Sequence, residues 1–408
     1  VRTTLENGLK ALVAERPGSG LVAVLILYRA GSLEEPPGQA GLAHLTEHMM
    51  FRGTPEHPAG RIDALTSSLG GVNNAMTTCD HAIYYFVVPA EHWRTPLAVE
   101  ADRMVNCALE PETFETERRI VLEERGMLDD DPDAALDEAV AALAFRCHPY
   151  GSPVAGRRSD IERLTLEDLR MFYDSFYVPA NAILAVVGDV RAPEVTSFVA
   201  DAFGPLAGAP PVRPGRTEPP QRSPRHVEVV GDDLAARAVL AFRAPEAMHP
   251  DSPALEALSG VLSSGRSARL YRQLVMGERV AAEASADRIL TREPGLFTVS
   301  AVLRLGIEPP AAGRAMVSTL RELRDSGVDP DELERAKSLL ALDYLSGLET
   351  SLGLAASTAF WESLGGWKLG PEFESRVADV SPDDLARALD AHIDPEVMST
   401  AWRYARRP

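Results

Sequence analysis

The two halves of this chain end in the same way. Thr165-Leu166-Glu167-Asp168-Leu169 is matched by Ser381-Pro382-Asp383-Asp384-Leu385, and a proline follows 11 residues after each aspartate, at Pro179 and Pro395. A strand-like run comes after each proline, clearest in Ala182 to Val187. An echo at a spacing of roughly 200 residues is long enough for whole domains. It restricts the fold to two copies of one α+β unit. The length of 408 residues, too great for one ordinary core, agrees with this. Between the copies, Gly204 to Arg225 holds seven prolines and almost no large apolar residue, and reads as a semi-extended linker. The expected division is residues 1–204, a linker at 205–225, and residues 226–408.

Within the first copy, Asn7-Gly8 between two short apolar runs predicts a hairpin. Leu21 to Leu27 is apolar and β-branched, and reads as a buried strand. A loop from Gly31 to Gly41 leads to a helix, and a second helix over about 59–69 stops at Gly70-Gly71. Val72 to Thr78 and Ala82 to Val88 read as strands, and Pro111 opens a long helix in the favoured first-turn position. In the second copy, strands are expected at 227–230, 238–242, 286–290 and 296–303. Helices are expected at 252–264 and 267–275, with two more helical stretches beyond.

The first helix carries His44-Leu45-Thr46-Glu47-His48, the order H-x-x-E-H, in a chain with only nine histidines. Residues four apart on a helix lie one turn apart on one face, so two imidazoles can converge on one metal ion. Glu47 sits close enough to that face to reach a water on the metal. Catalytic zinc takes three protein ligands and leaves one position open. The third is sought in Glu117-Arg118-Arg119-Ile120-Val121-Leu122-Glu123-Glu124. Glu117 and Glu124 share one helical face and Glu123 is rotated away. The residues alone leave Glu117 and Glu124 both open.

A net charge of −19 disfavours nucleic acid and anionic membrane as partners. No run of 18 apolar residues is present, so no transmembrane helix is expected. Cys79, Cys107 and Cys147 make no zinc-knuckle or redox motif and read as small buried hydrophobes. His57, His81, His92, His148, His249 and His392 lack metal spacing in sequence and read as surface or hydrogen-bonded core residues.

The chain resembles the pitrilysin/insulinase (M16, inverzincin) family of zinc peptidases. Gly41-Leu42-Ala43-His44 with Glu47-His48-Met49 and Phe51-x-Gly53-Thr54 carries the resemblance. So do Asn74-Ala75-x-Thr77 with Asp80, Arg119-x-Val121-x-Glu123-Glu124, His148-Pro149-Tyr150-Gly151, and Tyr177-x-Pro179-x-Asn181-Ala182 through Val187-Gly188-Asp189. Length and layout resemble the short bacterial members and mitochondrial processing peptidase subunits. The resemblance implies two homologous domains, each a mainly antiparallel sheet packed with helices, enclosing a chamber with a partner subunit. It places the third ligand 76 residues after His48, on Glu124, and a supporting glutamate on Glu117. It implies one Zn2+ per chain held by His44, His48 and Glu124, with Glu47 as general base in hydrolysis of peptides or unfolded polypeptides. It also implies that substrate adds as a β-strand along Asn73, Asn74, Ala75, Met76 and Thr77.

The chain departs from that pattern in its second half, which has no H-x-x-E-H. The family's Arg/Tyr pair, seven residues apart, falls on Val275 and Ala282. The expectation is therefore a zinc-bearing subunit whose homologous, non-zinc partner supplies the pair. Alternatives are a non-catalytic subunit of a larger complex and a hydrolase of non-peptide substrates. The chain begins at Val1, and a removed leader is expected. Frequent Ala, Arg, Gly and Pro suggest a GC-rich bacterial source, for which export to the periplasm is expected.

Overall fold

A computed structural model describes residues 1–213 and 215–405. It contains two sheets, each in its own compact unit. The first unit comprises residues 1–125, 153–215 and 346–370, and the second residues 126–152, 216–345 and 371–408.

The strands of the first unit are β1 (Arg2–Thr4), β2 (Lys10–Glu15), β3 (Leu21–Tyr28), β4 (Val72–Thr77), β5 (Ala82–Pro89) and β6 (Ala182–Gly188). Their order is β1-β2-β6-β3-β5-β4, with β2 and β6 parallel and the other pairs antiparallel. The Asn7-Gly8 hairpin pairs Thr3 with Ala11. β3 and β6 sit in the middle and are buried on both faces, which accounts for their unbroken apolar runs. On one face, Val22, Val24, Ile26 and Leu184 pack on Leu42, Leu45 and Met49 of the helix Leu42–Met50. On the other, Leu25, Leu27 and Ala185 pack on Ala355 and Ala359 of the helix Ser351–Leu364. Alanines one turn apart let that helix lie close to the sheet.

The second sheet contains β7 (Arg225–Val230), β8 (Arg237–Ala244), β9 (Ala281–Arg288), β10 (Gly295–Leu303) and β11 (Ser399–Tyr404). Its order is β7-β11-β8-β10-β9, again with one parallel pair, β7 and β11. Strand for strand this repeats β2-β6-β3-β5-β4, so the duplication read from the sequence extends to the topology. The two echoing segments form the same local device. Thr165 with Asp168, and Ser381 with Asp384, make reciprocal capping boxes at the starts of Leu166–Phe176 and Pro382–His392. One face of this sheet is covered by the helix Pro132–Ala144, through Leu136 and Val140 against Val239, Ala241 and Ala401.

Three local expectations differ from the structure. β9 starts at Ala281, earlier than expected, because Ala281 and Glu283 pair with Leu303 and Val302 of β10 despite their low strand propensity, with Ala282 left at a bulge between them. Tyr271–Gly277 is a π-helix, a wider turn than an α-helical period anticipates. Beyond β10 the described residues form five helices, Pro309–Ser326, Pro330–Gly347, Ser351–Leu364, Leu369–Ala378 and Pro382–His392, because Gly327, Gly365 and several prolines divide what reads as longer segments. Among the described residues no helix is long and apolar enough to cross a membrane.

Candidate metal centre

The helix Leu42–Met50 turns Leu42, Ala43, Leu45, Met49 and Met50 into the core and leaves His44, Glu47 and His48 half-buried on its other face. Its start is tightly built. Gly41 has a φ of 100°, and a Cβ there would stand 2.9 Å from the Gly156 backbone. The helix has no side-chain cap at Gly41 itself. Instead the buried Glu35 reaches in from the preceding loop, and its Oε1 accepts the N–H groups of Gly41 at 3.0 Å and Ala43 at 2.9 Å.

Burial pushes the Glu35 carboxyl up to about 8, against the pull of the Ala43 and Gly41 N–H groups. A carboxyl whose folded pKa lies above its ordinary 4.5 makes the folded chain hold the extra proton. Stability from this group is therefore full below about 4.5 and lost as pH rises towards about 8. Glu35→Gln keeps an acceptor and cannot ionise. Its denaturation midpoint should match that of the unmodified chain at about pH 5 and exceed it at about pH 8. Glu35→Ala, which leaves both N–H groups unmet, should cost about 1–2 kcal/mol at either pH.

The helix Pro111–Asp130 supplies the facing carboxylates. Glu124 Oε2 lies 3.2 Å from His48 Nε2 and 3.7 Å from His44 Nε2. Four tetrahedral ligands at zinc distances of about 2.0–2.2 Å are themselves about 3.4 Å apart, so these three donor atoms suit such an ion. Glu123 is exposed, turned away as the helical period requires. Glu117 is buried two turns back on the same face. Its Oε2 lies 3.3 Å from His48 Nδ1, and its Oε1 lies 2.7 Å from Arg52 Nε in an ion pair without aligned hydrogen-bond geometry. A carboxylate on Nδ1 holds the proton there and frees the Nε2 lone pair. Burial, then the neighbouring His48, lowers the His44 imidazole to about 4, so that ring is neutral at neutral pH and free to ligate. His44 Nδ1 is buried without a hydrogen-bond partner.

Glu47 lies beside this cluster. Burial raises its carboxyl, partly offset by Thr77 and His48. Thr77 Oγ1 donates to Glu47 Oε2 at 2.5 Å. Thr77 ends β4, the outermost strand of its sheet, which among the described residues pairs with β5 alone. On that strand Asn74 and Met76 are exposed or half-exposed, Asn73 donates to Asp63 at 2.9 Å, and Asn74 Oδ1 accepts the Ala75 N–H at 2.9 Å. Val275 and Ala282 have separate surroundings. Val275 is packed into the apolar core of the second unit, and Ala282 is exposed on β9.

Sequence reasoning gives no role to Glu35, to Arg52, or to Thr77 as a partner of Glu47. Arg52 lies four residues after His48, one further turn on, and that spacing is a usable signal. Glu35 lies in a loop with no periodicity to mark it.

Residues 10–158 match the family described as Insulinase (Peptidase family M16), and residues 163–340 match that described as Peptidase M16 inactive domain. The chain is 29% identical to the zinc protease PqqE of Helicobacter pylori, over 98% of this chain and 91% of that one. It is 31% identical to an uncharacterized zinc protease of Mycobacterium tuberculosis, over 86% of this chain and 80% of that one. The crystal structure of a protease from Helicobacter pylori superposes with a TM-score of 0.95 at 28% identity, covering 99% of each chain.

Proposed function

The chain belongs to the insulinase family, peptidase family M16, and from that premise we propose that it is a zinc-dependent endopeptidase acting on peptides or unfolded polypeptides. The observation that carries the reading is the convergence of His44 Nε2, His48 Nε2 and Glu124 Oε2, with the Glu47 carboxyl beside them. Zinc bound by those donors supplies Lewis acidity at the scissile carbonyl and lowers the pKa of a water towards about 7. Glu47 accepts the proton of the attacking water and returns it to the leaving amine. Its raised carboxyl suits both halves of that task. Glu117 orients His48 and takes no part as a ligand. Asn73, Asn74, Ala75, Met76 and Thr77 form the strand edge along which an extended substrate adds, placing its carbonyl near Glu47 by backbone pairing. In this reading the duplicated segments are residues 1–204 and 226–408, joined by 205–225.

Neither Val275 nor Ala282 can donate a side-chain hydrogen bond to a developing oxyanion. Losing one such donor typically costs about 10²–10³ in rate. A homologous, non-zinc second subunit carrying the Arg/Tyr pair completes the site. Cleavage of an unstructured peptide should therefore rise by about 10²–10³ when a co-encoded homologue is added to the pure chain. Full turnover by the pure chain would remove the partner from the scheme.

Thr77 is a positioning residue for the base. Its hydrogen bond lowers the Glu47 pKa, so Thr77→Val should move the acid limb of the kcat/KM profile to higher pH. It should also reduce kcat on the order of tenfold with KM little changed, the worth of one hydrogen bond to a charged group. Thr77→Ser should restore both.

A further inference from the structure

We propose that His249, Asp251 and His392 form a second site for a divalent transition metal, in the unit whose half of the chain lacks H-x-x-E-H. The first two residues lie in the turn before the helix Ser252–Ser263, and the third ends the helix Pro382–His392. Folding brings Asp251 and His392 together across a sequence separation of 141 residues. His392 Nε2 lies 3.0 Å from Asp251 Oδ2, and His249 Nδ1 lies 3.9 Å from the same oxygen. The imidazole rings meet edge to face, with centroids 5.6 Å apart. One ligand atom from each residue lies within 4.8 Å of the others, as in the His44, His48, Glu124 cluster.

Two further features set this group apart from a chance surface cluster. Asp251 occupies the N-cap of its helix, where an aspartate ordinarily accepts the free backbone N–H groups. Its side chain makes no such bond and faces the imidazoles instead. Its other oxygen, Oδ1, is held by Arg387 Nε at 3.3 Å and Nη2 at 3.2 Å, and Arg387 is fixed in turn by Asp384 Oδ1 at 2.7 Å. An outer partner that fixes a ligating carboxylate is an arrangement metal sites use, and here it turns Oδ2, hydrogen-bonded to His392 Nε2, towards the two imidazoles. The lone pair of His249 Nδ1 is met by the Asp251 N–H at 3.1 Å, a single neutral bond that a cation would displace. All three residues are half-buried, so an ion can enter from solvent. Two imidazole nitrogens and one carboxylate oxygen select zinc, cobalt, nickel or copper over magnesium or calcium. An ion there would clamp the C-terminus of Pro382–His392 to the start of Ser252–Ser263.

The full chain carrying His44→Ala and His48→Ala removes the first cluster from the measurement. Titrated with Co2+ or Zn2+, it should still bind one equivalent, and the ion should raise its Tm. Adding His249→Gln or His392→Gln should weaken that binding by at least about 30-fold and abolish the rise in Tm. His249→Gln changes a partly exposed turn residue, so it keeps the test valid if His392→Gln disturbs its helix. Absence of binding to the doubly substituted chain would overturn the proposal, as would binding that survives both glutamine substitutions. Either result is independent of whether the His44, His48, Glu124 cluster holds zinc.

Discussion

Glu47→Gln should reduce kcat/KM for an unstructured peptide by about 10²–10⁴-fold, the range for loss of a positioned general base, while metal content stays unchanged. The substituted amide would still accept the Thr77 hydroxyl through its oxygen, so the helix and β4 keep their contact. Bound zinc, measured directly on the purified variant, separates loss of the base from loss of the site. If the variant keeps full activity, Glu47 is not the base. If it loses zinc along with activity, the carboxylate has a structural role that the geometry does not account for. The same substitution distinguishes the enzyme from a non-catalytic subunit of the same fold, whose behaviour it would leave untouched.

The second large effect separates the two glutamates of one helix. Glu124→Ala removes one of three converging donor atoms and should strip zinc at concentrations that leave other variants loaded. Glu117→Gln removes a charge from His48 Nδ1 and from Arg52 but leaves all three donors in place. It should weaken zinc by about 10–100-fold, the usual cost of losing an outer partner. Competition against a chelator of known affinity measures both. Equal losses would mean that the two carboxylates share the ion, and the assignment of Glu124 alone would fall.

What can be read from the sequence follows from how local each feature is. The H-x-x-E-H helix depends on residues within two turns, and it forms where expected, over Leu42–Met50. The helical period alone narrows Glu117 and Glu124 to one face, and both face the histidines. The capping boxes at Thr165 and Ser381 each close over a few adjacent residues, which is why the duplication is visible. Contacts made over long separations leave no such trace. His249 meets His392 only after folding, whereas Glu35, only six residues before Gly41, escapes for another reason: its loop has no period to give its side chain a direction. His249 and His392 have no metal spacing in sequence, and their proximity is a product of the tertiary structure. The non-contiguous composition of the compact units escapes for the same reason: the hydrophobic pattern of Ser351–Leu364 shows that the helix is buried, not which sheet it covers.

That exchange of covering helices bears on why a half without H-x-x-E-H persists at all. The helix over Leu25, Leu27 and Ala185 comes from the second half of the gene, and the helix over Val239, Ala241 and Ala401 from the first. Genetic truncation at the proline-rich segment would strip an apolar lid from each sheet and yield two sticky, aggregation-prone products. Each half thus acts as a solubility factor for the other, and neither can be removed without uncovering an apolar sheet face.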